Sequence, residues 1–136
     1  MACPFFEPLE RLRDATVRVP LGDFWSGACH ANAESPVVPD DHAISEYCNM
    51  GYARGRCPRF PAAQSPDAVR FLVVRDSAQV IEIQFAMEQN HHPHSHGKLE
   101  FSSASGTFTQ PVEGHLLEQQ ARAYAASYLR RRRAAA

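Results

Sequence analysis

Gln79-Val80-Ile81-Glu82-Ile83-Gln84-Phe85-Ala86-Met87 alternates cleanly. Ile81, Ile83, Phe85 and Met87 fall on one side, and Glu82 and Gln84 on the other. A period of two with one apolar side marks a half-buried antiparallel strand. Upstream, Val69 to Arg75 (VRFLVVR) places Val69, Phe71 and Val73 on one side in the same way. Asp76, Ser77 and Ala78 between the two runs suit a hairpin turn. Downstream, Leu99 and Phe101 alternate with Lys98 and Glu100, so a third strand is expected from Lys98. A further strand fits Thr16 to Val19.

The chain closes on a helical pattern. Leu117, Ala121, Tyr124 and Tyr128 are spaced four, three and four, which makes one apolar stripe to lie on the sheet. Pro111 suits a first turn, Glu113 the positive end of the helix dipole, and the arginines from Arg130 to Arg133 the negative end. Gly114 weakens that first turn. The arginine run and the alanines after it read as a solvated, frayed end. One short basic tail on a chain of formal net charge -1 carries little nucleic-acid signal.

Composition shifts near residue 66. Eight of the ten prolines and all four cysteines lie at or before Pro66. Proline fixes φ and removes a backbone donor, so this half is expected to be loops and short helices. Asp40 suits a helix cap, with Ile44 and Tyr47 turned inward beside Cys48 and Gly51 as the stop. The fold class is therefore α+β: a small antiparallel meander, a C-terminal helix, and a proline-rich, loop-rich, cysteine-bearing N-terminal half. At 136 residues this is one domain, with residues 1–66 as the metal-binding half and 67–133 as the strand-strand-strand-helix half.

The cysteines are Cys3, Cys29, Cys48 and Cys57, spaced C-x25-C-x18-C-x8-C. The first twenty residues carry charges that interrupt any apolar core of a signal peptide, and no apolar run is long enough to span a bilayer. A reducing cytoplasm is the expected home, where clustered thiols hold metal more often than they form disulfides. A [4Fe–4S] cluster takes four thiolates from segments that need not be adjacent. Cys3-Pro4 and Cys57-Pro58 resemble the C-P end of the bacterial ferredoxin ligand run. That resemblance is confined to the dipeptide, because the C-x2-C-x2-C run is absent. Between Cys48 and Cys57, Gly51 and Gly55 let the chain curl closely, and Arg54 and Arg56 can offset cluster charge. Zn2+ also takes four thiolates, but its structural sites usually show a short C-x2-4-C knuckle, which this chain lacks. His30 adjoins Cys29 and His42 lies nearby, so a Cys₃His site is a variant of the zinc reading. Disulfides, or four unrelated buried thiols, remain open readings.

His91, His92, His94 and His96 follow the strongest strand and form a second candidate metal site, in a loop with Glu88 and Glu100 as flanking carboxylates. An exposed polar loop with incidental metal affinity is the plainer reading. Phe5-Phe6 and Phe24-Trp25 read as core for a loop-rich half. No G-x-S-x-G, Walker A or H-E-x-x-H motif occurs, and adjacent Cys29 and His30 point apart in extended chain, so no catalytic residue is assigned. The expectation is a small cytoplasmic [4Fe–4S] protein acting in electron transfer or redox sensing, with an unidentified redox or protein partner and no membrane. The alternatives are a zinc-stapled interaction module and a thiol-dependent enzyme.

Overall fold

A computed structural model describes residues 2–13, 19–63 and 65–135. The architecture is α+β, with a two-stranded and a four-stranded antiparallel sheet and a long C-terminal helix. The elements run β1 (Phe6–Arg13), β2 (Phe24–Cys29), α1 (Asp41–Ala43) continued by a π-helix (Ile44–Cys48), β3 (Ala68–Asp76), β4 (Val80–Gln89), β5 (His92–Ser102), β6 (Thr107–Phe108) and α2 (His115–Ala135). Among the described residues no helix is long and apolar enough to cross a membrane.

The large sheet has the order β3-β4-β5-β6. Its register sets Val73 against Ile83 and Ile83 against Leu99, and sets Ile81 against Phe101. These side chains share one face, as their alternation dictates, and α2 covers it with Leu117, Ala121 and Ala125. Tyr124 meets Phe71 at 5.6 Å between ring centroids. Gly97 lies opposite Phe85, and a Cβ there would come within 2.8 Å of the Phe85 ring. The glycine therefore makes room for an aromatic in the core.

Two element boundaries differ from expectation. β5 begins at His92 and not at Lys98, because Asn90 and His91 both adopt positive φ and turn the chain in two residues. Two such residues match the twist of a hairpin, and Asn and His tolerate this region better than most. The turn is held from outside: Asn90 N–H donates to Asp67 Oδ2 at 2.7 Å, and the His91 ring stacks on Tyr52. α2 begins at His115, after Gly114 at φ 94, and not at Pro111. The N-terminal half is also not simply loops. β1 pairs with β2 despite Pro8, with register shifts between Pro8 and Glu10 and between Arg11 and Arg13 that accommodate the irregular strand. At Gly27 the two strands approach so closely that a Cβ would sit 1.8 Å from the Glu7 carbonyl oxygen. Of the strand expected at Thr16 to Val19, only Val19 lies within the described residues, and it is not in a strand.

The arginines at the end of α2 are tied down, contrary to the solvated tail expected. Arg130 and Arg131 both donate to Asp23, which is fully buried, and Arg132 donates to Asp76 at the end of β3. The last turns of the helix are thereby fixed to both sheets.

Candidate metal centre

Four separate segments carry the four cysteines, and each is anchored to the next. Cys3 lies in the turn before β1, where Phe6 N–H donates to the Cys3 carbonyl at 3.1 Å. Cys29 ends β2 directly opposite Phe6. Its backbone also exchanges hydrogen bonds with Val37 at 2.7 and 3.1 Å. Cys48 ends the π-helix, and its carbonyl accepts from Cys3 N–H at 3.0 Å. Cys57 N–H donates to Ala53, and the Phe60 ring three residues on packs edge-to-face on Phe5 at 5.5 Å. That aromatic contact lays the Cys57 loop against the Cys3 turn.

Cys3 and Cys48 each come within electrostatic reach of Cys29 and Cys57. Burial pushes the Cys48 thiol up to about 12, and the nearby Cys3, Cys29 and Cys57 add to the rise. Burial likewise pushes Cys3 up to about 12, with Cys29 and Cys57 contributing and a hydrogen bond to the Phe5 backbone opposing. Cys3 and Cys48 form the buried side of the set, and Cys29 and Cys57 the half-buried side. All four are free thiols. With thiols raised this far the buried pair is neutral near pH 7 and poorly suited to nucleophilic work, since the thiolate is the reactive form.

The supporting residues are polar groups placed in an otherwise apolar setting. Asp40 Oδ1 caps α1 by accepting from Ala43 N–H at 2.8 Å, as its position suggested. The helix then widens to a π turn that carries Ile44 and Cys48 into the core. Single π turns of this kind recur at functional sites. Asn49 is fully buried: its amide donates to the Ile44 and Trp25 carbonyls at 2.9 Å, and its Oδ1 accepts from Trp25 N–H. Gln120 of α2 reaches the Cys3 turn, donating to the Cys3 and Phe6 carbonyls at 2.8 and 2.7 Å. Trp25 shares a face of β2 with Cys29, and its indole N–H is buried without an acceptor among the described residues.

The arginines around the Cys57 loop have partners of their own. Arg54 Nε donates to Asp67, its other nitrogens hold the carbonyls of Pro61, Ala63 and Ser65, and its guanidinium lies over Phe60. It braces the loop. Arg56 lies over the Tyr47 ring. Arg59 also bears on the set, its charge opposing the rise of the Cys48 thiol. Sequence reasoning passed over Arg59, Asn49 and Gln120. The Cys57-Pro58-Arg59 adjacency was the available signal for the first, whereas nothing in the sequence marks the other two.

His30 does not pair with Cys29. Its Nε2 meets Glu7 Oε1 at 2.8 Å, and the second Glu7 oxygen meets His115 Nε2 at 2.8 Å. His92, His94 and His96 are exposed on β5, while His91 sits in the turn against Tyr52. Glu88, expected to flank the histidines, is buried and accepts from the Tyr52 hydroxyl. Among the described residues no three His, Cys, Asp or Glu side chains are gathered as a single metal ion requires. Comparison with models of known protein families, with characterised proteins and with solved structures returns no match.

Proposed function

We propose that Cys3, Cys29, Cys48 and Cys57 ligate a [4Fe–4S] cluster and that the protein serves electron transfer or redox sensing in the cytoplasm, with a protein redox partner. The observation that supports this reading is that Cys3 and Cys48 are buried in one core, with Cys29 and Cys57 from two further segments close enough to raise both thiols. A single Zn2+ needs its sulfurs about 2.3 Å from one point, whereas a cluster separates its ligands by its own width.

Such a cluster supplies one-electron redox chemistry when bound. The chain's own residues set the conditions for it. Cys3 and Cys48 present ligands from a dry side formed with Phe6, Leu21 and Val69. Cys29 and Cys57 present them from the half-exposed side, which is where an electron from a partner has the shortest path. The Arg59 charge favours thiolate at Cys48, and Asn49 and Gln120 fix the backbone on which Cys48 and Cys3 are held.

The test is anaerobic purification without a histidine tag, followed by a visible spectrum and analysis for iron, sulfide and zinc. About four irons and four sulfides per chain, with broad visible absorption, is the expected result. One zinc and no colour would replace this reading with a structural staple. No metal at all, with Cys29 selectively reactive to alkylation, would favour a thiol-dependent enzyme.

A further inference from the structure

Trp25 is the only tryptophan in a chain that carries eight phenylalanines. A phenylalanine would fill much the same space, and tryptophan adds one N–H donor to it. That donor is buried and has no acceptor among the described residues. A buried donor left unmade carries the full cost of its lost hydration. Such groups normally find a partner in protein, in ordered water or in a bound group.

The backbone of Trp25 is fixed against the thiol set. Its N–H donates to Asn49 Oδ1 at 3.0 Å, and its carbonyl accepts from the Asn49 amide at 2.9 Å. Asn49 is fully buried and directly follows Cys48. β2 places Trp25 and Cys29 on one face, and Cys29 lies opposite Phe6. Trp25 also packs against the core that contains Cys3, Cys48 and Phe6. Three of the four proposed ligands are therefore tied to Trp25 by a buried amide, a shared strand face or a shared core. A thiol sulfur is a weak acceptor, so cysteines alone satisfy this donor poorly. Sulfur that carries negative charge satisfies it well.

We propose that the Trp25 indole N–H donates to a sulfur of the [4Fe–4S] cluster, bridging sulfide or ligating thiolate, and thereby raises the reduction potential. The inference rests on the cluster reading above and names a residue that tunes it. Negative charge on the sulfurs grows when the cluster takes up an electron. A donor bonded to sulfur therefore favours the reduced form.

The test compares the full chain, loaded with its cluster under anaerobic conditions, with its Trp25→Phe variant. The variant keeps an aromatic ring and removes the N–H. Iron and sulfide content should match the unmutated protein. The reduced form should become about tenfold less stable, a fall in midpoint potential of ~59 mV for one electron. A second measurement needs no substitution. With a single tryptophan, the unmutated protein gives one indole N–H resonance in heteronuclear NMR. That resonance should move strongly between the oxidised and reduced forms, because its proton is bonded to the redox centre. If Trp25→Phe loses its iron, the resonance decides alone. An unchanged potential in an iron-replete variant, or a resonance that ignores oxidation state, would overturn this inference and leave the cluster standing. A water molecule bonded to the indole would give that result. A preparation without iron would remove the cluster reading and this inference together.

Discussion

At Asp23, one side chain decides how the end of the long helix meets the rest of the protein. Burial acts to raise its carboxyl, but the neighbouring Ser127 hydroxyl and the Arg130 and Arg131 guanidiniums together outweigh it, and the pKa lies below the ordinary value. A carboxyl depressed on folding contributes stability above its unfolded pKa, and that contribution is lost as pH falls through the folded value. Stability should therefore hold level above about pH 5 and decline below about pH 4. Asp67, depressed by Arg54 and the Asn90 N–H against its own burial, acts in the same direction. Asp23→Asn should cost roughly 2 kcal/mol at neutral pH, because two half-exposed arginines lose a buried charged partner, and should flatten the acid limb of a chemical-denaturation series. Cys48→Ser is the corresponding change in the thiol set. Iron and sulfide content should fall sharply, and retention of full content would remove Cys48 from the ligands.

Elements place these residues, and their boundaries reflect forces that strand and helix patterns only partly record. The alternation from Val69 to Met87 was legible because a sheet with one buried face needs nothing else to orient its strands. The start of β5 was not, because an Asn-His turn at positive φ is chosen by Asp67 and Tyr52, which are distant in sequence. Since His92, His94 and His96 are strand residues with exposed side chains, replacing all three with Thr should keep the fold by circular dichroism. It should also leave the cysteine-bound metal intact; its loss would mean that histidines and thiols form one site. β1 and β2 carry Phe6, Cys29 and their mutual register, and that pairing depends on the absence of a side chain at Gly27. Gly27→Ala should cost at least ~2 kcal/mol in thermal or urea unfolding, because the clash is with backbone that cannot move aside singly. It should also lower metal content by displacing Cys29.

For the molecule as a whole, one apolar core joins the large sheet and α2 to the cysteine-bearing half through Ala2, Cys3, Phe6 and Cys48. Ala2 bonds to Val69 in both directions at 2.8 Å, so the first residues of the chain edge the large sheet. With the proposed cluster bound at the thiols, its removal should act unevenly. Chelation under reducing conditions should raise amide exchange in residues 2–13 and 24–63 first, while β3 to β5 stay protected. Uniform loss of protection would show that the metal holds the whole core and not one half. The sequence by itself determined the α+β class, the paired strands around Ile81 and Ile83, the helix stripe at Leu117 to Tyr128 and the cysteines as the residues to watch. All of these rest on local periodicity, composition or count. Only the tertiary structure decided that Cys3 and Cys48 lie in one apolar core, that Gln120 and Asn49 brace the backbone beside them, and that the terminal arginines clasp Asp23. Those outcomes depend on contacts between segments far apart in the chain, and side-chain spacing along a chain carries no record of which distant groups will meet.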